Sequence, residues 1–572
     1  EGCSWIVCES AGMEPKVRSD VASRNTLRHE NMALHRKVLA RQHLVEAEAT
    51  PAVGGQWQGI ETGRRLWAPA DESETFSKER VQLVATNRQI LLTFTNRIRL
   101  DFASTWVTHV RRIGMTNWLI GATDMPALEG LRRDKIPRFN MKTNLPQGEW
   151  PWGSPSFKAL GPHKIELIYQ SITWGFEVII TDIDALVLRE PFAYMGRWPD
   201  AGFLTTSDHL GNTTIDGGLE NHRGIHTAFN IGYMFFRKSA LPLVEEWRQT
   251  IREKPTLRWD QGEFNRIARK KWKPHRKDGL SDERLFWSYE DRVIGGVLPL
   301  SLFCGGHNYF VSQFAQRAGL QPYSIHTTFQ YGGAAGKRHR LREAKVWIDP
   351  QSYYDPPRGM LVYPPDLPRS LVFPPDGMTT KGHIALIKHQ LRQIKQALAL
   401  ARALGRILVL PSVVCGYDKA WYPLASGRAR GVFPGAHGWA LPIFDCPLDH
   451  YLEPSTLRPT ETIREHSFLA NPRTPDSVRR YVTPIQLAGS TDTAEGLKSR
   501  YAGVRVINVT NLAAVDVLNT LLTKAQVKEF RREFGGVGGS WCCAPTEDRS
   551  KGMPSSTYFR LINFQGGRSF LG

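Results

Sequence analysis

The sequence predicts an α/β protein with two sheet-bearing domains. Short apolar runs of strand length alternate with stretches of helical period, one such run stops at a pair of aspartates, and a proline-dense stretch divides the alternation in two. A chain of 572 residues exceeds one ordinary core, since a domain usually takes roughly 150 residues.

Residues 1–78 read as a stem. Thr26–Glu48 is helix-compatible and rich in Arg and His, and Leu27, Leu34, Val38 and Val45 fit a heptad only in part. A first α/β domain is expected over 79–355. Ile90–Phe94 is its opening strand, Phe102, Trp106, Val110 and Ile113 recur at helical spacing, and Trp118–Ala122 is the next strand. A helical stripe over Lys164–Ile172 then leads into Val178–Thr181. The stretch Asp355–Gly377 holds seven Pro and reads as an extended linker, assigned to 356–380. Beyond it a helix over His383–Leu404 feeds a strand at Arg406–Leu410, which opens a second α/β domain over 381–572.

Composition narrows the partners. A net charge of +19 favours anionic ligands. The densest basic run, Arg266–Lys277, reads as a solvated helix end and loop, and no nucleic-acid-binding module accompanies it. Seven Cys without a CxxC pair give no structural zinc site and leave room for one to three disulfides. Asn212 and Asn508 head glycosylation sequons. No stretch of about 20 apolar residues is present, and a signal anchor upstream of Glu1 stays open. Seventeen Trp suit a sugar or nucleotide cleft, although a packed core uses Trp more often.

The sharpest local feature is Asp182-Ile-Asp184 after the strand Val178–Thr181. At the carboxyl end of a parallel strand, two carboxylates sit where open α/β sheets bind ligands. Alternation along an extended chain puts both on one side. Hard oxygen ligands there suit Mg²⁺ or Mn²⁺, with a diphosphate completing the sphere. A solvated acidic loop and a haloacid-dehalogenase-type phosphatase compete with this reading. The phosphatase motif normally opens its domain, and here two strands come first.

The downstream order decides. Thr205-Thr-Ser-Asp208-His209 follows another strand, Phe229-Asn230-Ile-Gly232 opens the next, Trp259-Asp260-Gln261 opens a helix, and Ser324-Ile-His326-Thr-Thr-Phe329 precedes Gly332-Gly333 and Gly336-Lys337-Arg338-His339-Arg340. This order resembles the plant and algal nucleotide-diphospho-sugar transferases of glycosyltransferase family 77, most of all the extensin arabinosyltransferases, which modify hydroxyproline-rich cell-wall glycoproteins. The resemblance runs from Ile90 to Asp355, through Leu100-Asp-Phe-Ala, Trp152-Gly-Ser-Pro and the aspartate pair. It continues through Leu391-Arg-Gln-Ile, Cys446-Pro-Leu-Asp449-His450, Ile463–Phe468 and Trp541-Cys542-Cys543.

The resemblance implies a GT-A (Rossmann-like) nucleotide-sugar transferase domain, followed by a second α/β domain of structural or acceptor-binding role. It implies UDP-β-L-arabinofuranose as donor, transfer with retention, and an arabinosylated hydroxyproline glycoprotein as acceptor. UDP-xylose or UDP-galactose transfer is the alternative within enzymes, and a non-catalytic carbohydrate-binding scaffold the alternative outside them. It further implies the Golgi lumen, nucleic acid playing no part, and membrane attachment only through an anchor upstream of Glu1. Asp182, Asp184 and His326 would hold Mn²⁺ or Mg²⁺, with His307 in reserve. Lys337 and Arg338, after a Gly-rich turn, would face the diphosphate, as would Lys164. Thr95 and Asp124 would sit near uridine, against a reading as ordinary turn caps. Asn230, Asp260 and Gln261 would serve the sugar and acceptor hydroxyls, Asp260 being the carboxylate nearest the anomeric carbon. Nucleophile and same-face mechanisms both stay open. Residues 382–411 are similar to the opening of fucosyltransferase-like domains, where Arg392 is the residue that would carry chemistry.

Overall fold

The computed structural model describes residues 74–208, 213–221, 228–272, 280, 282–330, 332–416, 442–452, 454, 457 and 459–534. Most of the expected stem, Asn212, Cys542 and Cys543 lie outside them. The strands are β1 Gln89–Thr95, β2 Trp118–Ala122, β3 Arg138–Asn140, β4 Glu177–Thr181, β5 Ala185–Val187, β6 Phe203–Ser207, β7 Phe229–Phe236, β8 Phe286–Ser288, β9 Val293–Val297, β10 Phe303–Gly305, β11 Ser324–His326, β12 Met360–Val362, β13 Ile407–Val409, β14 Ile463–Arg464, β15 Val482–Ile485 and β16 Val506–Val509. The helices that matter here are α1 Leu100–Arg112, α2 Met125–Arg133, α3 Gly161–Thr173, α4 Leu241–Glu253, α5 Asp260–Ala268, α6 Gly333–Glu343 and α7 Thr380–Ala403.

Eight strands form the main sheet in the order β3-β2-β1-β4-β7-β6-β9-β8. The strands from β3 to β4 run parallel, and β7 is antiparallel to both β4 and β6. Alternate residues of β1 enter opposite cores. Ile90, Leu92 and Phe94 pack with Ile165 and Ile168 of α3 and Trp247 of α4. Leu91 packs on the other face with Phe102, Trp106 and Val110 of α1. Covering on both faces is why these strands are written as unbroken apolar runs rather than alternating ones. The chain leaves β1 outward through β2 and β3, then returns to β4 on the other side of β1. The crevice beyond the carboxyl ends of β1 and β4 is therefore a topological switch point, the ordinary ligand position in such sheets.

Three short strands, in the order β10-β11-β5, make a second small sheet. A third sheet, β14-β13-β12-β16-β15, is parallel throughout. Its central strand β12 lies inside the stretch read as a linker. The prolines of 356–380 flank an apolar run, Met360–Val362, instead of forming one extended tether. Proline is tolerated just outside a strand, so its density conceals the strand between. Helix α7 covers one face of this sheet and starts close to the residue expected, with the Thr379 hydroxyl accepting from the Gly382 N–H at 3.0 Å. Residues of all three sheets belong to one contact unit, 63–315 with 320–572. Among the described residues no helix is long and apolar enough to cross a membrane.

Two cysteines of the second domain, Cys415 and Cys446, form a disulfide, and Cys304 is a buried free thiol. Asn508 sits in β16 with its side-chain oxygen buried, so that sequon is part of the sheet. Arg392 is exposed on α7.

Helix α6 is fastened to the second domain by an ion pair that water does not reach. The Arg340 guanidinium donates to both oxygens of Asp449 at 2.9 Å, and each side chain is 1% exposed. A buried charge left alone costs far more than the pair contributes. We expect Arg340→Ala to destabilise the fold by about 3 kcal/mol or more. The double variant Arg340→Met with Asp449→Leu should recover much of that loss. Thermal and urea unfolding of the three proteins measure both effects.

Candidate active site

The site is assembled where the chain changes sheets. β4 ends at Thr181 and the next four residues turn, the Ala185 N–H donating to the Asp182 carbonyl at 3.0 Å. The chain then enters β5, which belongs to the small sheet. A turn, rather than the extended run expected, brings Asp182 and Asp184 to one side. β5 pairs antiparallel with β11, with Ala185 opposite His326. That register delivers a histidine from far downstream to the aspartates. His326 Nε2 lies 3.8 Å from Asp182 Oδ2 and 3.7 Å from Asp184 Oδ1. One ligand atom from each of the three lies within 4.8 Å of the others.

Two ammonium groups balance the carboxylates. Lys164 of α3 reaches Asp182 Oδ1 at 2.8 Å and donates to the Ile231 carbonyl at 2.6 Å. Lys337 of α6 pairs with Asp184, and the Thr327 hydroxyl donates to the same carboxylate at 2.9 Å. Burial pushes the Asp184 carboxyl up, but the Lys337 ammonium beside it outweighs burial and holds it well below the usual range. Burial pushes the His326 imidazole down despite the two aspartates, which favours the neutral ring with a free lone pair. Two carboxylates and a neutral imidazole form a donor set that fits Mn²⁺ or Mg²⁺.

Space for this cluster comes from Gly232 in β7. A Cβ there would lie 2.1 Å from His326 Cε1 and 2.9 Å from Asp182 Oδ2. The Gly232 carbonyl also accepts the Asp182 N–H at 2.9 Å.

A second cluster lies beside the first. Asp208, at the end of β6, accepts from the Asn230 amide at 2.7 Å and the Gln261 amide at 2.9 Å. Asn230 Oδ1 in turn accepts the Gly232 N–H at 2.8 Å. Asp260 opens α5 and is packed against Gly161, where a Cβ would meet Asp260 Cβ at 2.8 Å. Burial raises the Asp260 carboxyl to about 6, with Lys164 pulling it down and Asp182 pushing it up. Both clusters line a cleft of about 560 Å³, which also takes in Thr95, Arg99 and Glu149.

Of the residues singled out in the sequence, Thr95, Lys164, Asp182, Asp184, Asn230, Asp260, Gln261, His326 and Lys337 line this cleft. Asp124 and Arg338 do not. The Asp124 carboxylate caps α2, accepting the Ala127 N–H at 2.7 Å and the Arg97 N–H at 3.1 Å. Arg338, one residue past Lys337, turns away and grips Asp101 of α1 at 2.5 Å. Neighbours on a helix point about 100° apart, so one cation of the pair faces the aspartates and the other cannot. His307 is buried outside the cleft. Sequence reasoning missed Asp208, Arg99 and Gly232. Asp208 carried a signal, a carboxylate at a strand's end, whereas Gly232 matters only through a side chain brought in from another sheet. The other grouping of potential ligands among the described residues, Cys415, Cys446 and His450, is a disulfide beside a histidine.

Two outcomes follow. Gly232→Ala should fold yet lose Mn²⁺ binding by at least about tenfold, because overpacking displaces His326 or Asp182. Titration calorimetry with MnCl₂ reads this directly. Asp260 contributes through protonation. Its folded carboxyl titrates near 6 against an ordinary 3.8, so the folded state keeps a proton that the unfolded chain releases. That contribution is complete below 3.8 and lost as pH rises through about 6. Asp260→Asn should therefore stabilise the ligand-free protein at pH 7 by on the order of 2 kcal/mol, with the gain vanishing toward pH 3.5 in thermal melts.

The geometry agrees with the comparisons. The sequence profile described as nucleotide-diphospho-sugar transferase matches residues 113–341. The chain is 34% identical to arabinosyltransferase XEG113 of Arabidopsis thaliana over 530 residues, covering 85% of this chain and 80% of that one. It is 24% identical to arabinosyltransferase RRA2 of the same plant, over 32% of this chain and 45% of that protein. Among solved structures, mouse xyloside xylosyltransferase 1 aligns at 12% identity and a TM-score of 0.25, over 42% of this chain and 98% of that one. By its likeness to XEG113 the chain belongs to the nucleotide-diphospho-sugar transferases of glycosyltransferase family 77, alongside the plant arabinosyltransferases, and its main sheet is the GT-A (Rossmann-like) domain expected of them.

Proposed function

We propose that this glycosyltransferase moves L-arabinofuranose, with retention, from UDP-β-L-arabinofuranose onto arabinosylated hydroxyproline of cell-wall glycoproteins, using Mn²⁺ or Mg²⁺. The observation that carries the reading is the Asp182, Asp184 and His326 grouping at the switch point of the sheet, in a chain so similar to an arabinosyltransferase. Bound there, the metal would neutralise the diphosphate as the glycosidic bond breaks. The chain's own residues do the rest. Lys164 and Lys337, which pair with Asp182 and Asp184, are the ammonium groups that would face the phosphate oxygens. Thr95, at the end of β1, lies on the uridine side. Asp208, Asn230 and Gln261 form a hydrogen-bonded set that orients donor hydroxyls. Asp260 stands closest to the role of a carboxylate facing the anomeric carbon, and its raised pKa keeps it partly protonated near neutrality.

The Cys415–Cys446 disulfide supports work in an oxidising compartment, for which we propose the Golgi lumen, with attachment through an N-terminal anchor. The second domain, with its parallel sheet covered on both faces, is assigned a structural or acceptor-binding role.

UDP release by purified protein with Mn²⁺ tests the reading, using UDP-arabinofuranose, UDP-xylose and UDP-galactose with and without an arabinosylated hydroxyproline peptide. Release that needs arabinofuranose and the peptide together supports it. Release with another pentose or hexose donor keeps the site and overturns the named sugar. In the same assay Asp184→Ala should lose on the order of 3 kcal/mol of transition-state stabilisation, about a hundredfold in rate. Near-normal turnover by a well-folded Asp184→Ala protein would remove the metal site from the mechanism.

A further inference from the structure

One part of the cleft is not absorbed by the donor. Its rim is aromatic, with Trp150 and Trp152 from the loop between β3 and α3 and Trp259 just before α5. Trp152 is 76% exposed, the highest value among the exposed large apolar side chains of the described residues. The chain's other tryptophans include Trp106, Trp118, Trp198, Trp247 and Trp347, all buried in cores. A large indole held in water marks a surface awaiting a partner.

The ring is placed rather than loose. Trp152 stands between Pro151 and Gly153, whose φ of +78° takes the left-handed turn that glycine accepts most readily. Its ring meets Trp259 edge to face, with centroids 5.6 Å apart and planes at 79°. Trp259 is in turn packed against Gly262, where a Cβ would lie 3.2 Å from its ring. The same loop is tied to β1, the Asn96 amide donating to the Gly148 carbonyl at 3.0 Å. Trp150 is fixed as well, its indole N–H donating to the Pro146 carbonyl at 2.8 Å. The result is a corner of two nearly perpendicular aromatic faces, one residue in sequence from Asp260.

Such a corner has no charge with which to hold a diphosphate. It suits a saccharide ring, which presents C–H groups on its faces and hydroxyls at its edges. A flat indole buries the C–H face and leaves the hydroxyls in water, at little cost in side-chain entropy. The corner is at the rim of the cleft that contains Asp182 and Asp260, so the saccharide assigned to it is the acceptor's, whose hydroxyl attacks as UDP leaves the transferred sugar.

We propose that Trp152 and Trp259 form the platform on which the acceptor's carbohydrate stacks, so that this corner sets preference for glycosylated over bare acceptors. The proposal rests on the acceptor reading above.

The test measures acceptor binding by titration calorimetry. The ligands are a free tri-arabinofuranoside, a hydroxyproline peptide carrying the same glycan, and the bare peptide. Wild type, Trp152→Ala and Trp152→Phe are compared, with UDP binding in Mn²⁺ as the check on folding. Trp152→Ala should weaken both sugar-bearing ligands by about tenfold or more, as for loss of an aromatic anchor, and Trp152→Phe should restore most of the affinity. Equal affinity in wild type and Trp152→Ala would overturn the platform, as would a loss confined to the peptide portion. Wild-type protein that binds UDP but no arabinosylated ligand would instead overturn the acceptor reading beneath it, and the platform's assignment with it.

Discussion

Two carboxylates cannot be packed against each other in a largely enclosed site unless cations answer them. Asp182 and Asp184 converge on one imidazole, and each is met by a lysine from a different helix. Much of the first domain can be understood as the means of satisfying that demand. Helix α3 must cross the sheet where Lys164 can reach Asp182, and Gly161 permits its close approach to Asp260. Helix α6 must present Lys337 to Asp184. β7 must carry glycine at 232, since any Cβ would occupy the space between Asp182 and His326. The lysines thus act as counter-ions that keep the carboxylate cluster assembled.

The charge arrangement also explains why the chain moves from one sheet to another between β4 and β5. Within a single sheet, a strand's end offers side chains from its neighbours only. By turning at Asp182–Ala185 and pairing with β11, the chain reaches a residue that the main sheet could not supply. The small sheet β10-β11-β5 is in this sense a device of placement. Its Leu186, Val187, Phe303 and Ile325 join the core on the α1 side, and its register puts His326 opposite Ala185.

The main sheet was largely legible because its strands are covered on both faces. Ile90–Phe94, Trp118–Ala122 and Val178–Thr181 are apolar but for a threonine in two of them and are buried throughout, so no register guess was needed to find them. The strand β12 was not, because prolines on both sides suggested a tether while saying nothing of the three residues between. In the site, residue types at strand ends were readable and directions were not. Asp182, Asp184 and Asn230 follow from position alone. Asp124 also follows a strand, yet one of its oxygens is taken by the Ala127 N–H at the start of α2 and the other by the Arg97 N–H just before α1. Lys337 and Arg338 look equivalent on paper and differ by one step of helix rotation. Asp208 went unassigned because its meaning lies in two amides, Asn230 and Gln261, that sequence leaves far apart.

The buried pair Arg340–Asp449 has a consequence for how this enzyme can be divided. Arg340 lies one turn from Lys337 on α6, so the second domain holds the helix that answers Asp184. A protein cut after the first domain would leave the Arg340 guanidinium without its counter-ion and α6 without its anchor. The boundary expected near residue 355 is therefore no seam for expression, grafting or domain exchange.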